Sequence, residues 1–307
     1  MINVYISYDY ELCWGVWDKM PAAYARSNVM QANAAARKLV ALHLKHQVPA
    51  SWAIVGAMLE RHAPEEVMAK TARSIEAIDA FRDYVSQFDS VNTELFRADA
   101  DVISALREEP LLEPASHSFS HIYALEEERA VLEDDFRRFD DIFRRTFGTV
   151  PISLIFPKNQ SSEAAVEIAL ACGFRVMRVN PSNWLYVQRK RGRFEAKAIR
   201  LLRFLDAFLP ILECFPDRSM GHDPVLCVGQ YFFRPRFRTK LQDALHLARL
   251  RLGLEYCKMR GRSCHFWTHP HNFGGDLERA LSNAERLFAI LKRQEKRGLI
   301  RLCRMSD

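Results

Sequence analysis

Two histidines four residues apart give the clearest chemical signal in the sequence. They open and close the segment His117-Ser118-Phe119-Ser120-His121. A spacing of four places both imidazoles on one side of a helical turn, which suits the binding of a single metal ion. Two histidines and one carboxylate, with a position open for water, are a common catalytic zinc arrangement. Two unrelated surface histidines are the alternative, because the chain contains 10 histidines.

An acidic pair near the start of the chain can supply the carboxylate. Asp9 and Glu11 are two residues apart, and in an extended backbone such residues face the same way. One carboxylate could bind the metal while the other takes a proton from water, and a neighbouring cation would help to keep that base ionised. The alternative is that one of the two carboxylates only caps the turn that follows.

A histidine late in the chain completes the candidate groups. His269 follows the apolar residues Phe266-Trp267-Thr268, where a lone histidine would more often be a hydrogen-bonded core residue. Opposite a metal and a base, the same imidazole becomes a candidate general acid for a leaving group. His271 competes for that role.

The elements predicted around these residues alternate between strands and helices. Strands are predicted at 3–7, 48–56, 111–116, 151–157, 174–180 and 264–268, and helices at 32–45, 126–147, 161–172 and 278–296. This alternation indicates an α/β fold with a mostly parallel sheet, in which functional sites lie at the carboxyl ends of strands. The candidate residues follow four of these strands, so we expect them to meet at one end of the sheet.

Two long ranges interrupt this alternation within what we predict to be a single domain over 1–307. A helical insertion is predicted at about 57–110 and a basic insertion at about 185–262. Between Arg189 and Arg203, seven basic residues stand against one acid, Glu195. A basic amphipathic helix at 197–209 could lie on an anionic membrane or bind the diphosphate of a nucleotide sugar or lipid-linked glycan. The alternative is a helix packed on the core with a solvated basic edge.

The composition is that of an ordinary globular protein. Of 307 residues, 49% are hydrophobic and 27% charged, which excludes disorder, collagen and coiled-coil arrays for the whole chain. The net charge of +6 comes with no nucleic-acid recognition motif, so no nucleic-acid partner is predicted. The first residues lack the pattern of a signal peptide and no apolar run is long enough for a membrane span. We therefore expect a cytoplasmic location, at the inner face of the membrane if the basic helix binds it.

Taken in order along the chain, these segments resemble the motifs of the polysaccharide deacetylase family, also called the NodB-homology domain. Residues 7–11 are similar to its acidic motif, and 117–121 match its second motif, H-[ST]-x-x-H. Phe156-Pro157-Lys158-Asn159-Gln160 resembles a third motif in the version found in bacterial surface-polysaccharide clusters. Residues 178–184 resemble the aromatic wall of the family's site, and 269–273 resemble its closing histidine motif. The resemblance runs from residue 1 to about residue 275.

The resemblance implies a distorted (β/α)7 barrel and a metal-dependent hydrolase that removes an acetyl group from an amino sugar or glycan precursor. By position, Asp9 would be the catalytic base and His269 the acid. The metal, with zinc as the first expectation, would be held by Glu11, His117 and His121. The residues expected to bind substrate are Tyr10, Trp14, Lys158, Asn159, Arg178, Trp184 and His271.

The sequence departs from the family pattern in three places. The acidic pair is usually two aspartates, so Asp9 could replace Glu11 as the metal ligand. Lys158 stands where arginine is usual, and an ammonium would orient a carboxylate less rigidly than a guanidinium. His271 leaves the identity of the acid open. A hydrolase of non-sugar C–N bonds and a catalytically silent glycan-binding protein remain alternatives, and neither the sugar nor the oligomeric state follows from the sequence.

Overall fold

The computed structural model describes residues 1–88, 94–181, 183–187, 193–214 and 226–307, which form one sheet surrounded by helices. The strands are β1 (Ile2–Tyr10), β2 (Ala50–Ile54), β3 (Leu112–Ser116), β4 (Ser153–Ile155), β5 (Val176–Val179), β6 (Leu226–Val228), β7 (Tyr231–Phe232), β8 (Cys264–Thr268) and β9 (Ile300–Cys303). The α-helices are α1 (Ala22–Asn28), α2 (Ala32–His46), α3 (Pro64–Ala69), α4 (Ile75–Val85), α5 (Ala100–Glu108), α6 (Arg129–Phe147), α7 (Glu163–Ala171), α8 (Arg193–Leu205), α9 (Lys240–Met259) and α10 (Leu277–Lys296). None of these helices has the length and apolar character needed to cross a membrane.

All strand pairings described in the sheet are parallel, in the order β6-β5-β4-β3-β2-β1-β8-β7, with β9 beside β1. The edge strands β6 and β7 are separated along the chain by only Gly229 and Gln230, so the sheet curls until its two edges approach each other. The Gln230 side chain links this junction to β8, because it accepts a hydrogen bond from the His265 amide at 2.8 Å. The structure confirms the predicted α/β fold built on a curled parallel sheet.

β1 is the central strand and is longer than the sequence predicts. It pairs with β8 over residues 4–8, with β9 over residues 2–5 and with β2 over residues 7–10. Its last five residues, 6–10, are all buried. Asp9 therefore lies within the strand. The predicted strand stopped at Ser7 because Asp is depleted in strands, but an ion pair described below holds this carboxylate inside the barrel.

The range 185–262 differs from the predicted basic insertion. It contains β6, β7 and α9, so much of it belongs to the barrel. Strands of three and two residues are too short to show a hydrophobic period. The inner face of α9 contains the buried polar residues Asp243, His246 and Arg249. These residues interrupt the apolar stripe from which an amphipathic helix is predicted, so the sequence did not indicate α9. In the basic run, residues 188–192 lie outside the described part of the chain. The basic helix predicted at 197–209 is α8, which begins and ends four residues earlier.

The described residues between β2 and β3 form α3, α4 and α5 and contain no strand. Residues 89–93 of this predicted helical insertion lie outside the described part of the chain. Trp14 packs against this layer, since its ring stacks on Phe81 at 4.7 Å and its indole N–H donates to the Phe96 carbonyl at 3.0 Å. The helices between β2 and β3 thus form part of the hydrophobic core.

A buried histidine predicts an acid-sensitive fold. His43 of α2 is fully buried, its Nδ1 donates to the Val48 carbonyl and its Nε2 accepts from the Tyr8 hydroxyl, both at 2.8 Å. Burial lowers the pKa of His43 to about 4. Because the unfolded chain then binds the extra proton, stability should fall as the pH decreases from about 6.5 to about 4, by up to about 1.4 kcal/mol per pH unit.

Urea unfolding at pH 7.5 and pH 5 measures this effect. His43→Gln should reduce the loss of stability between the two pH values, whereas replacing the exposed His62 by Gln should leave it unchanged. An equal loss in the wild-type protein and in His43→Gln would contradict the assignment.

Candidate active site

Three of the predicted metal ligands meet at the carboxyl end of the sheet. Glu11 follows β1, and His117 and His121 follow β3. The Glu11 Oε2 atom lies 3.3 Å from the Nε2 of His117 and 3.1 Å from the Nε2 of His121. One ligand atom from each residue falls within 4.8 Å of the others, and all three residues are buried. The structure thus brings together the three residues that the sequence analysis proposed as metal ligands.

The histidine segment is a loop, so the predicted helical turn is wrong. Ser118 and His121 have positive φ angles of 62° and 55°, which no α-helix contains. The loop is held by Asp135 of α6, whose carboxylate accepts hydrogen bonds from the amides of Phe119 and Ser120 at 2.7 and 3.0 Å. The Ser120 hydroxyl donates to the same carboxylate at 2.5 Å. A buried acid on the neighbouring helix thus fixes the direction of both imidazoles.

The hydrogen bonds around these ligands fit a divalent cation. His117 Nδ1 lies 2.8 Å from the Ile155 carbonyl, and since a carbonyl only accepts, this nitrogen carries the proton. His117 Nε2 then faces the Glu11 carboxylate, an arrangement that a cation between the two groups would stabilise. His121 Nδ1 is buried and has no hydrogen-bond partner among the described residues. Two imidazole nitrogens and one carboxylate oxygen form a typical zinc donor set.

A glycine without a side chain leaves room for the third ligand. Residues Leu12–Gly15 form a short 3₁₀ helix that places Gly15 directly against the Glu11 side chain, and a Cβ at Gly15 would overlap it. Gly15→Ala should therefore displace the Glu11 carboxylate and lower zinc affinity roughly 10–100-fold, the loss typical when support for a ligand is removed.

Zinc titration with a competing chelator, alongside a circular-dichroism spectrum to verify the fold, tests this prediction. Gly148→Ala is the control for a general loss of stability, because its φ of 71° strains an alanine at the far end of α6 while no atom lies within 4 Å of a Cβ there. Unchanged zinc affinity in Gly15→Ala would show that Glu11 does not need its observed position.

Asp9 is held by an arginine rather than by the predicted lysine. The Arg178 guanidinium makes a bidentate ion pair with Asp9, with Nη1–Oδ1 and Nη2–Oδ2 distances both 2.7 Å. Asn159 Oδ1 accepts hydrogen bonds from Arg178 Nε and Nη2 at 3.1 and 2.8 Å. The guanidinium also packs over the Trp267 ring at 4.6 Å. Burial alone would raise the pKa of Asp9, but the charge and hydrogen bonds of Arg178, together with the charges of His117 and His269, outweigh burial and hold that pKa below its ordinary value.

Arg178 was predicted to bind substrate, and the structure corrects this. Its side chain is completely buried and does not line the cavity described below. Lys158 lines that cavity, but it pairs with Asp18 at 3.1 Å and lies over the Tyr123 ring at 3.4 Å, so it does not orient the acidic pair. The sequence contained a signal for this role, because Arg178 lies inside the short apolar strand β5. An arginine buried in such a strand needs an anionic partner.

His269 stands between the two carboxylates. Its Nε2 atom is 3.7 Å from Asp9 Oδ2 and 3.7 Å from Glu11 Oε1. The Asn272 amide nitrogen lies 3.1 Å from His269 Nδ1. This contact holds the ring so that Nε2 faces the two carboxylates.

The second histidine of this segment is in a different environment. His271 stacks on His269 at 4.8 Å between ring centroids, is buried and does not line the cavity. Burial lowers the pKa of His271 to about 4, so this ring stays neutral near pH 7. His269, which does line the cavity, is the better placed of the two to meet a substrate.

A cavity of about 470 Å³ opens from these residues, a size suited to one or two sugar rings. Asp9, Glu11, His121 and His269 lie along one part of its wall, and Lys158 and Asn159 beside them. Its aromatic lining is formed by Tyr186, Tyr231, Phe232 and Trp267.

This lining differs from the predicted aromatic residues. Tyr10 and Trp14, expected to contact substrate, are fully buried in the core. Trp184 is 40% exposed but lies outside the cavity. Trp267 and Phe232, which the sequence analysis did not select, line it instead. The Tyr10 hydroxyl binds Asn33 and accepts from the Asp99 amide, so Tyr10 anchors α2 and α5.

Strained backbone is concentrated in the loops that carry the site. Six non-glycine residues of the described chain have a positive φ angle, and five of them belong to these loops: Leu12, Ser118, His121, Lys158 and Asn159. Such conformations cost about 1–3 kcal/mol each and persist where the surrounding structure enforces them. Their distribution is typical of a functional site, and it coincides with the candidate site at this end of the sheet.

A family model described as polysaccharide deacetylase matches residues 16–177, more than half of the chain. The chain therefore belongs to the polysaccharide deacetylase family, as the resemblance indicated. The matched range includes His117 and His121, while Asp9, Glu11 and His269 lie outside it. No curated protein matches the sequence.

Three solved structures share the fold at low sequence identity. A protein from Mycobacterium smegmatis described as a polysaccharide deacetylase is 12% identical, with a TM-score of 0.59 over 99% of this chain and 87% of that one. A second such protein, from Pseudomonas aeruginosa PAO1, is 11% identical, with a TM-score of 0.54 over 100% and 89%. PuuE allantoinase is 10% identical, with a TM-score of 0.52 over 99% and 87%. At these identities the similarity concerns the fold.

Proposed function

We propose that this protein is a metal-dependent hydrolase that removes an acetyl group from an amino sugar or a glycan precursor. The observation that carries this proposal is the position of His269, within 3.7 Å of both Asp9 and a ligand of the candidate metal centre. A base, an acid and a cation site at one point are the groups that amide hydrolysis needs.

Glu11, His117 and His121 would hold the cation, and the donor set leads us to propose zinc. When bound, a zinc ion polarises the acyl carbonyl and lowers the pKa of a water molecule. This assignment leaves Asp9 free of the metal, because its two oxygens are already engaged by Arg178.

The side chains around the cation site divide the remaining tasks. Asp9, kept ionised by Arg178, accepts the proton of the attacking water. Protonated His269 donates its Nε2 proton to the departing sugar amine and is left as the neutral imidazole, and the contact with Asn272 holds the ring in place. The indole of Trp267 offers a flat face on which a sugar ring can stack.

Acetate release from purified, zinc-loaded protein tests the proposal. The panel contains acetylated amino sugars, acetylated nucleotide sugars and lipid-linked glycans, and Asp9→Asn serves as the inactive control. We expect release from at least one of them. No release from any member while zinc is bound would refute the deacetylase proposal.

A second candidate is hydrolysis of a C–N bond in a compound that is not a sugar. One structure of the same fold is named an allantoinase, which favours this candidate over a silent binding protein. Cyclic ureides added to the same panel separate the two. Turnover of a ureide and of no sugar would favour the second candidate.

Contact with an anionic membrane is a further proposal, and it concerns α8. Lys197, Arg200, Leu201 and Phe204 are exposed on this helix, and their spacing places them along one side. Basic and apolar groups together suit an interfacial helix. Sedimentation with phosphatidylglycerol vesicles should capture the wild-type protein and capture the double variant Lys197→Gln, Leu201→Gln less. Equal sedimentation of both would exclude α8 as the contact.

A further inference from the structure

The cavity contains an arginine that the proposed chemistry does not use. Arg234 follows β7, and its side chain lines the cavity. Its Cζ atom lies 6.0 Å from the ring centre of Phe204 and 5.7 Å from those of Phe232 and Phe237. Three aromatic rings therefore surround the guanidinium, and their π faces attract a cation.

This guanidinium has no anionic partner among the residues that the structure describes. Within the described part of the chain, Arg234 forms a hydrogen bond through its backbone amide, which donates to His246 Nε2 at 3.0 Å. Burial lowers the pKa of Arg234, as expected for a cation that is withdrawn from water. A half-buried guanidinium without a counter-charge is stabilised when a ligand supplies a negative charge.

A neighbouring arginine of the same cavity shows the ordinary, neutralised arrangement. Arg249 binds Asp206 and Glu213, with Nη2–oxygen distances of 3.1 and 2.7 Å. Asp206 is used further, since it accepts from the Tyr186 hydroxyl at 2.8 Å and from the Leu212 amide at 2.7 Å. Among the described residues, the carboxylates of Asp206 and Glu213 are thus engaged by Arg249, and neither forms an ion pair with Arg234.

Arg234 lies one aromatic ring away from the proposed acid. The ring of Phe232 is 5.7 Å from the Arg234 guanidinium and 5.8 Å from the His269 ring. Both residues line the same cavity. A ligand with its acyl group at His269 and a negatively charged group a sugar ring away would reach both.

We propose that Arg234 is the anion-binding residue of this cavity, and that the substrate is an acylated sugar carrying a phosphate or carboxylate group. The planar fork of a guanidinium binds two oxygens of either group at once, which a lysine at this position would not reproduce. This inference rests on the proposed function for the acyl group, but the anion site can be tested separately.

Sugars without an acyl group test the anion site independently of catalysis. We would titrate the zinc-loaded protein with glucose 1-phosphate, glucuronate and glucose by calorimetry. At least one anionic sugar should bind ten- to a hundredfold more tightly than glucose, as one charged hydrogen-bond pair allows. The tighter of the two identifies the group as phosphate or carboxylate.

Variants locate the binding. Arg234→Gln should abolish the preference for the anionic sugar, and Arg234→Lys should retain only part of it. Arg238→Gln is the matched control, because it removes the same charge from an exposed position four residues away, outside the cavity. No preference in the wild-type protein, or the same preference in Arg234→Gln, would overturn the proposal, the second result indicating that the anion binds the metal.

Kinetics then connect the anion site to the reaction. On an acetylated sugar with a charged group, Arg234→Gln should lower kcat/KM ten- to a hundredfold, mainly through KM, and on the neutral analogue it should change little. If no acetylated sugar is hydrolysed but the binding preference and its loss are observed, the deacetylase proposal fails and the anion site stands.

Discussion

Arg178→Gln should lower kcat/KM for deacetylation at least a hundredfold while the protein still binds zinc. The substitution removes both hydrogen bonds that orient the Asp9 carboxylate and leaves that carboxylate buried without a counter-charge. Truncating one partner of a buried ion pair typically destabilises a protein by about 3–5 kcal/mol. Loss of the base's orientation and ionisation adds a loss of rate on the order of 10²–10⁴.

Steady-state kinetics, zinc content and urea unfolding together test this prediction. Arg178→Lys keeps the charge without the planar fork, so it should recover most of the stability and only part of the rate. Lys158→Gln is the matched control, since Lys158 binds Asp18 rather than Asp9, and it should retain activity within roughly tenfold. If Lys158→Gln lost more activity than Arg178→Gln, the lysine would be the functional cation after all.

The sequence predicted that the candidate residues meet at one end of the sheet, because the ends of strands are predictable. The acidic pair, the two histidines and the late histidine each follow an apolar segment, and parallel strands bring such ends together. Their types and order were enough to identify the family.

The sequence did not reveal which cation holds Asp9, and the reason is physical. Motif order placed Lys158 beside the acid, but a bidentate pair depends on direction, and Arg178 projects from the inside of β5 toward Asp9. The sequence did not indicate that Tyr10 and Trp14 are core residues, because aromatic side chains occur both in packed cores and in sugar-binding sites. β6 and β7 depend on tertiary pairing and have too few residues to show a period.

Asp9→Asn and Glu11→Gln should both lose activity, but only Glu11→Gln should lose zinc. This difference identifies the carboxylate that binds the metal. Glu11 lies against both imidazoles and Asp9 against Arg178. Glu11→Gln should therefore lose zinc affinity by more than the roughly 10–100-fold that removal of an outer hydrogen-bond partner costs, and lose activity with it.

Asp9→Asn should bind zinc in a one-to-one ratio with nearly unchanged affinity, and its kcat should fall about 10²–10⁴-fold because the general base is gone. Zinc analysis after dialysis, a chelator competition and acetate release measure the three quantities, with His117→Ala as the reference for a missing ligand. Asp9→Asn also leaves Arg178 without its counter-charge, so unfolding must be followed to show that the variant is folded. If Asp9→Asn released zinc and Glu11→Gln retained it, the two carboxylates would have exchanged roles, and the ion pair with Arg178 would have to break when the metal binds.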